Sequence, residues 1–347
     1  MELKMTGAVL YDVTKPLVVE DDIEVAPIEN YQVLIELSYT GVCRSQLMEA
    51  RGLRGPDPYL PHLMGHEGSG VVVKAGRDVT KVKPGDHVVL TWIEASGLSG
   101  GGGKYERKGQ KINAGRITTF NNFAVLPENR VVKLPKEVPL KLGWLFGCAI
   151  LTGSGIVRHQ VKPKKGDSLG IFGLGGIGLS ALMAAVQLGC DRIIAFDPDI
   201  KKRELALELG ATETIDPSRE DVAEAISSFT SGKLLDYTVE ASGLASVIET
   251  AFKNVRDQGG RCVFATHPKE GSLIRLDPFD LIKGKRIEGS WGGGAKPDSD
   301  VLELAPLMAA HPDIYGKLLG QEYELKDVNK ALDQLEGGLA KREYIAF

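Results

Sequence analysis

The segment from Ser168 to Asp197 constrains the fold of this chain more than any other. It reads SLGIFGLGGIGLSALMAAVQLGCDRIIAFD. A short apolar run, Leu169 to Phe172, leads into a glycine-rich turn. From Gly178 apolar residues recur at helical spacing, and a second apolar run ends at Asp197. This order predicts a strand, a helix and a second strand.

The glycines of the turn GLGGIG, residues 173–178, match the needs of a dinucleotide site. Gly173 permits the tight turn, Gly175 lets the backbone approach a pyrophosphate, and Gly178 allows close packing of helix on strand. The N-terminus of the helix then faces the phosphates. We expect Gly176 and the nearby Lys202 to contact the cofactor as well. A glycine-rich turn without a ligand is the alternative interpretation.

The acid at the end of the second strand indicates which nicotinamide cofactor is bound. Asp197 follows Gly178 by 19 residues (197 − 178), where a carboxylate accepts hydrogen bonds from the adenosine ribose and repels a 2′-phosphate. The sequence therefore favours NAD. The basic residues at 201–203 leave NADP as the alternative, because they could receive a phosphate.

Composition places the chain among ordinary two-domain enzymes. It has 347 residues, of which 43% are hydrophobic and 25% charged, and this length favours two domains. The net charge of −4 argues against general nucleic-acid binding. The chain has no apolar run of membrane length, and its start lacks the apolar region of a signal peptide. We therefore expect a cytoplasmic enzyme.

The rest of the chain falls into two patterns. Up to about residue 133 we predict short strands and turns without helices, which indicates a β-barrel-like domain. Residues 139–155 are apolar and helical in pattern. After Asp197, strands and helices alternate, which predicts a doubly wound parallel sheet and an α/β fold. Two more amphipathic helices and a final strand are expected in the tail.

Three motifs outside the nucleotide unit carry residues suited to metal chemistry. They are GVCRSQ at 41–46, GHEGSG at 65–70 and FGCA at 146–149. Their Cys43, His66 and Cys148 make up the ligand set of a catalytic zinc that keeps a fourth position open. A single cysteine is more often a core residue than a metal ligand, and a single histidine is more often an ordinary core or surface residue. For Cys190 and Cys262, which lie in apolar patterns, we predict core packing.

Taken together in this order, these motifs resemble those of the zinc-dependent medium-chain dehydrogenase/reductase family, which includes alcohol and polyol dehydrogenases. The PGD turn at 84–86 and GSWGGG at 289–294 add to the resemblance, which covers nearly the whole chain. It implies a GroES-like β-barrel catalytic domain over residues 1–149, completed by 293–347. It also implies a Rossmann NAD-binding domain over residues 150–292.

The resemblance also implies roles for single residues. Cys43, His66 and Cys148 would ligate one catalytic zinc, and Glu67 is a nearby acid that would exchange onto the metal. Ser45 would pass the substrate proton, and Arg44 would contact the cofactor pyrophosphate.

The resemblance further implies a substrate pocket and self-association. Trp92 and Phe120 would form aromatic walls of the substrate pocket. The alternative is that they belong to the hydrophobic core between strands. We expect a homodimer or homotetramer, formed through the strand at 286–290.

Four departures from the family pattern matter. Residues 94–119 contain no cysteine, whereas many relatives place four there for a structural zinc. Gln46 stands where an acid is common, and Met48 where some relatives have a proton-relay histidine. The basic segment 104–116 follows a glycine run. We expect a solvated mobile loop there, and the alternative is a basic lid for an anionic substrate.

The sequence thus predicts a zinc-dependent enzyme that transfers a hydride between NAD(H) and a primary or secondary hydroxyl, or the corresponding carbonyl. The substrate would be a small alcohol, a polyol or a sugar derivative. An alternative is an enzyme, reductase or dehydrogenase, that acts on a phosphorylated or nucleotide-activated sugar or cyclitol intermediate. An alternative from a different class is a sensor that binds NAD(H) without turnover.

Overall fold

A computed structural model of the chain describes residues 3–338 and 341–347. These residues form two compact units. The first consists of Met1–Cys148 with Lys296–Phe347, and the second is Ala149–Ala295. The sequence predicts divisions after residues 149 and 292, and the compact units divide after Cys148 and Ala295.

The first unit is dominated by β-strands. Its strands are β1 Leu3–Leu10, β2 Val18–Val25, β3 Gln32–Gly41, β4 His62–Leu63, β5 Glu67–Ala75, β6 His87–Thr91, β7 Tyr105–Arg107, β8 Gln110–Ile112, β9 Phe123–Pro127, β10 Val131–Lys133, and near the end of the chain β17 Leu319–Glu324 and β18 Arg342–Ala346. One sheet has the order β4-β1-β2-β7-β8. The other has the order β10-β6-β5-β3-β18-β17, with β9 also paired with β3.

The helices of the first unit are between 4 and 14 residues long. They are α1 Arg44–Ala50, α2 Leu140–Gly143, α9 Pro297–Ala310, α10 Pro312–Gly316 and α11 Val328–Glu336, with 3₁₀ turns at Glu128–Arg130, Trp144–Gly147 and Leu325–Asp327. Alternate residues of the strands face buried clusters, one of which contains Val33, Ile35, Val88 and Leu90.

The second unit is a six-stranded sheet with the order β13-β12-β11-β14-β15-β16, parallel throughout. Its strands are β11 Ser168–Phe172, β12 Arg192–Phe196, β13 Glu213–Ile215, β14 Tyr237–Glu240, β15 Arg261–Phe264 and β16 Arg286–Gly289. Its helices are α3 Ala149–Gly155, α4 Gly176–Gln187, α5 Ile200–Glu208, α6 Val222–Thr230, α7 Ala245–Lys253 and α8 Pro278–Ile282, with a π-helix at Ile156–Val161 and a 3₁₀ turn at Gly292–Gly294.

This architecture confirms the predicted fold class. The apolar runs on either side of the glycine turn are β11 and β12, whose residues are almost all buried, as expected for strands covered on both faces. The reversal of strand order beside β11 is the arrangement of a doubly wound sheet.

The prediction that the first 133 residues lack helices was wrong. Helix α1 covers residues 44–50 and begins directly after Cys43, so one of the predicted ligands lies at a helix N-terminus. Its apolar residues Leu47, Met48 and Ala50 are buried against the core. The helix is too short for its periodicity to stand out in the sequence.

The basic segment 104–116, for which we expected a mobile loop, contains regular strands instead. Its strands β7 and β8 form a hairpin, and β7 pairs with β2. Lys104 Nζ lies 2.7 Å from a carboxylate oxygen of Glu29, and Arg107 pairs with Glu20 and Asp22. Two of the five cations of this segment are thus matched by acids on or near β2.

A buried carboxylate organises the glycine-rich segment before this hairpin. Glu128 is 1% exposed and accepts hydrogen bonds from the backbone N–H groups of Thr80, Lys81 and Leu98, all at 2.7–2.8 Å. These backbone hydrogen bonds keep the pKa of Glu128 below its usual value, against the effect of burial. One ionised side chain therefore fixes the backbone at this point.

No single helix in the described part of the chain is long and apolar enough to cross a membrane. The bent pair Leu140–Gly147 and Ala149–Val161 meets the requirement by length and composition alone.

Candidate functional site

The structure brings the three predicted metal ligands together with Glu67. Cys43 lies between β3 and α1, His66 and Glu67 lie where β5 begins, and Cys148 follows the 3₁₀ turn at residues 144–147. One potential ligand atom from each of the four lies within 4.8 Å of those of the other three. Two sulfur atoms, one imidazole and one carboxylate make up a donor set that suits zinc.

Glycines allow the backbone to approach closely around this cluster. Gly65 has φ +95°, and a Cβ added there would lie 2.3 Å from the hydroxyl oxygen of Thr119. A Cβ at Gly147 would lie 2.7 Å from the Cβ of Glu67. The glycines beside His66 and Cys148 are thus required by packing, since no larger residue fits in either place.

The hydrogen bonds of His66 indicate which ring nitrogen is available to a metal. Its Nδ1 contacts the side-chain nitrogen of Gln46 and lies 3.3 Å from Ser45 Oγ. Its Nε2 is buried and has no hydrogen-bond partner. A buried nitrogen without a partner is costly unless it binds something. The donor set and this nitrogen together fit a zinc ion.

The two cysteines differ in the affinity of their sulfur atoms for a proton. A hydrogen bond from Cys148 and the neighbouring His66 hold the pKa of Cys43 well below its usual value, against the effect of burial. The same hydrogen bond, together with burial, raises the pKa of Cys148. Cys43 is therefore the cysteine that more readily loses its proton, and the thiolate is the form that binds metal.

Sequence reasoning missed Arg342, which lies beside this cluster. Its guanidinium donates to Glu67 Oε1, and its central carbon lies 5.3 Å from the ring centre of Trp144. Glu67 is fully buried and Arg342 is 8% exposed. Burial raises the pKa of Glu67 although Arg342 lowers it. An arginine in the final strand, REYIA, was the only sequence signal of this pair.

The glycine turn has the geometry that its sequence predicts. Gly173 has φ +90°, and a Cβ at Gly178 would lie 1.9 Å from the carbonyl oxygen of Gly173. A Cβ at Gly175 would meet no atom within 4 Å, so space remains in front of the turn. Gly176 is the first residue of α4.

The acid after β12 is held against the same turn. Asp197 is 7% exposed and accepts hydrogen bonds from the backbone N–H groups of Leu174, at 2.8 Å, and Asp199, at 2.9 Å. Arg203 donates to the carbonyl oxygen of Asp197 and lies 3.3 Å from the carboxylate of Asp216. This arginine, one of the candidates for a phosphate contact, is therefore engaged by acids and backbone.

The remaining predicted residues divide between exposed and core positions. Arg44 is exposed on the first turn of α1, and Trp92 is half-buried just after β6. Phe120 has no exposed surface and packs in the core with Leu10, Val42 and Leu47, which is the alternative kept for it. Cys190 and Cys262 are also buried, as predicted.

Comparisons with known proteins identify relatives of this chain. Residues 29–136 match the alcohol dehydrogenase GroES-like domain, and residues 176–310 match the zinc-binding dehydrogenase domain. The chain is 31% identical to an S-(hydroxymethyl)glutathione dehydrogenase from Synechocystis sp., over 99% of this chain and 100% of that protein. It is 28% identical to alcohol dehydrogenase class-P of Arabidopsis thaliana, over 97% and 95% of the two chains.

Solved structures give the same result for the fold. A zinc-binding alcohol dehydrogenase domain protein from Burkholderia ambifaria aligns with a TM-score of 0.90 and 28% identity, over 100% of both chains. Benzyl alcohol dehydrogenase from Acinetobacter calcoaceticus aligns with a TM-score of 0.89 and 26% identity, over 99% of both.

The fold and the site therefore define a zinc-dependent oxidoreductase of alcohols and carbonyl compounds that uses a nicotinamide cofactor. The chain belongs to the medium-chain, zinc-dependent alcohol dehydrogenase family.

The buried pair of Arg342 and Glu67 gives a stability prediction. Arg342→Met leaves a carboxylate buried without a partner, so we expect the free energy of unfolding to fall by about 3–5 kcal/mol. The loss should grow as pH rises from 5 to 8, because removing Arg342 raises the Glu67 pKa further and burial penalises the charged form. Urea unfolding of the metal-free protein measures both effects.

Two further variants serve as controls for this prediction. Arg342→Lys keeps the charge and should lose less stability. Adding Glu67→Gln to Arg342→Met removes the unpaired charge and should restore part of the loss. If the double variant lost the sum of the two single losses, the side chains would not be coupled and the prediction would be wrong.

Proposed function

We propose that this protein is an NAD-dependent dehydrogenase of a small, uncharged primary or secondary alcohol or polyol. Cys43, His66 and Cys148 hold one catalytic zinc. The observation that carries this proposal is the convergence of these residues with Glu67 within 4.8 Å, although they come from three separate parts of the chain. The set leaves one position for substrate, with Glu67 as the side chain that exchanges onto the metal.

The chain's own residues supply binding and proton transfer. When bound, zinc contributes Lewis acidity and NAD contributes hydride acceptance. Ser45, on the first turn of α1 and 3.3 Å from His66, receives the proton of the substrate hydroxyl and passes it on. Arg44, exposed beside it, contacts the cofactor pyrophosphate. Trp92 forms an aromatic wall of the substrate pocket.

Two cations of the basic segment are already paired with acids of the first unit. Lys104 and Arg107, the first cations of the segment proposed as a lid, are paired with Glu29, Glu20 and Asp22. A cation already matched by a carboxylate gives little to a second anion. This observation gives no support to a phosphorylated or nucleotide-activated substrate.

Metal content and turnover test the proposed zinc site together. The purified protein should contain about one zinc per chain and reduce NAD with at least one member of a panel of simple alcohols, polyols and benzyl alcohol. Turnover of S-(hydroxymethyl)glutathione alone, which is anionic, would contradict the uncharged substrate. Cys43→Ala and Cys148→Ala should each lose the zinc and at least about 10³-fold in kcat/KM, because the Lewis acid is gone. Atomic absorption and nicotinamide absorbance are the measurements.

The other two cysteines provide matched controls. Cys190→Ala and Cys262→Ala change buried thiols outside the cluster and should keep both zinc and turnover. Full turnover by the Cys43→Ala protein, or by enzyme freed of metal with a chelator, would contradict the proposal.

The environment of Asp197 supports NAD over NADP. The carboxylate has about four acceptor positions, and backbone N–H groups use two of them. The rest are available to ribose hydroxyls. With Asp216 also close to Arg203, a 2′-phosphate would meet two acids and an arginine that is already paired.

A substitution that keeps the shape of Asp197 tests this preference. For Asp197→Asn we expect the ratio of kcat/KM with NAD to kcat/KM with NADP to fall by about 10-fold or more, because the repulsion of the 2′-phosphate is removed. Asp199→Asn is the control, since Asp199 caps α5 and asparagine caps equally well. An unchanged ratio in Asp197→Asn would refute the assignment.

We also propose that the second unit forms the contact between two copies of the chain. Strand β16 is at the edge of its sheet and mostly exposed. Helix α8, which leads into it, exposes Phe279, Leu281 and Ile282 by 44–77%. An exposed sheet edge next to apolar side chains favours pairing with another strand. A second copy of the chain presents the same edge, so two copies related by a two-fold axis can pair their β16 strands.

Sedimentation velocity tests the proposed dimer. We expect the native protein to sediment as a dimer or a larger even assembly. Leu281→Lys with Ile282→Lys should raise the dissociation constant by at least about 100-fold, because two charges would be buried at the contact. Leu302→Lys, which changes a side chain of the first unit that is 64% exposed, should leave the assembly intact. A monomeric native protein would overturn the proposal.

A further inference from the structure

Gln46 connects the start of α1 with the histidine of the proposed zinc site. It is 2% exposed. Its side-chain oxygen accepts a hydrogen bond of 2.9 Å from the backbone N–H of Cys43. Its side-chain nitrogen contacts Nδ1 of His66. One amide therefore touches two of the three proposed ligand residues.

Metal binding changes what His66 requires from this amide. A neutral imidazole carries one N–H. When Nε2 gives its lone pair to a metal, the proton lies on Nδ1, which then needs an acceptor. The backbone N–H of Cys43 needs an acceptor at all times. With metal bound, both donors therefore need the oxygen of Gln46, which lies at Cys43, while the amide nitrogen faces His66.

The orientation of the Gln46 amide in the structure suits the metal-free protein better than the metal-bound protein. With the oxygen on Cys43, the amide nitrogen donates to an unprotonated Nδ1, and the ring proton is then on Nε2, where a metal would bind. If the amide turned over, His66 would gain an acceptor and Cys43 would lose one. Ser45 Oγ, 3.3 Å from Nδ1, is the longer substitute available to the histidine.

We propose that Gln46 is a positioning residue that opposes metal binding by His66 and so shortens the lifetime of the bound zinc. This inference rests on the zinc site proposed above. A carboxylate in the same place would accept from both donors at once. Gln46→Glu has nearly the same shape and supplies two acceptor oxygens. Gln46→Met keeps the length of the side chain but removes the amide nitrogen that favours the unprotonated Nδ1.

The experiment compares the lifetime of zinc in the full-length protein and three variants. Each protein is loaded with one equivalent of zinc and mixed with an excess of a chromophoric chelator, and the release rate is followed by absorbance. We expect Gln46→Glu to release zinc about 10-fold to 100-fold more slowly than the native protein. Gln46→Met should release it no faster than the native protein, because the opposing hydrogen bond is gone.

Arg54→Gln is the control for charge. It makes the same region more negative by one unit, but Arg54 is exposed and its ion-pair partner is Glu49. It should therefore match the native rate. Equal lifetimes in the native protein and Gln46→Glu, faster release from Gln46→Met, or an Arg54→Gln lifetime as long as that of Gln46→Glu would each overturn the inference.

A cobalt spectrum separates this outcome from failure of the zinc site itself. Cobalt in a site with two thiolates and an imidazole shows intense sulfur-to-metal absorption, which should be present in all four proteins and absent in Cys43→Ala. If the native protein lacked it, the proposed zinc site would be wrong. If all four proteins had it with equal zinc lifetimes, only the role of Gln46 would be wrong.

Discussion

The contact between Arg342 and Glu67 joins two parts of the chain that are 275 residues apart, and the proposed zinc site depends on it. Glu67 has no exposed surface, and a carboxylate in such a place needs a charged partner or several hydrogen-bond donors. Strand β18 brings that partner by pairing with the end of β3, where Tyr344 lies opposite Gly41. Cys43 follows two residues later. The last strand therefore fixes both the acid and the loop that carries the first ligand, and the first unit is incomplete without it.

The same contact explains why residue 41, at the start of the first cysteine motif, is a glycine. A Cβ at Gly41 would lie 2.3 Å from the ring of Trp144 and 2.8 Å from the Glu67 carboxyl carbon. Trp144 in turn lies against Arg342. The glycines in the cysteine motifs thus make room for a buried ion pair and the indole that covers it, as well as for the ligands themselves. Any larger residue would displace the carboxylate or the ring, since a packed interior has no space to absorb the change.

The sequence predicted those parts of the structure whose signals are local. The turn at residues 173–178 and its two apolar runs carry their geometry within 30 residues, and the structure has the strand, helix and strand in that order. Arg342 could not be assigned, because its partner lies at the other end of the chain. The basic segment was misjudged for the same reason, since the acids that match Arg107 are on β2, about 85 residues earlier. Phe120 has the residue type of a pocket wall, and only packing shows that it belongs to the core.

Gln46 stabilises the start of α1 and, by our proposal, weakens the binding of metal by His66. At the third position of α1 it accepts from the N–H of Cys43, a capping role that glutamate and glutamine fill about equally well. The helix therefore gives no reason to prefer the amide. The difference between the two residues lies at His66, where a carboxylate would accept from Nδ1–H, whereas the amide that caps the helix with its oxygen presents its nitrogen. An amide at position 46 therefore leaves the stability of α1 unchanged. Its effect is on the hydrogen bond to His66, and through it on the lifetime of the bound metal.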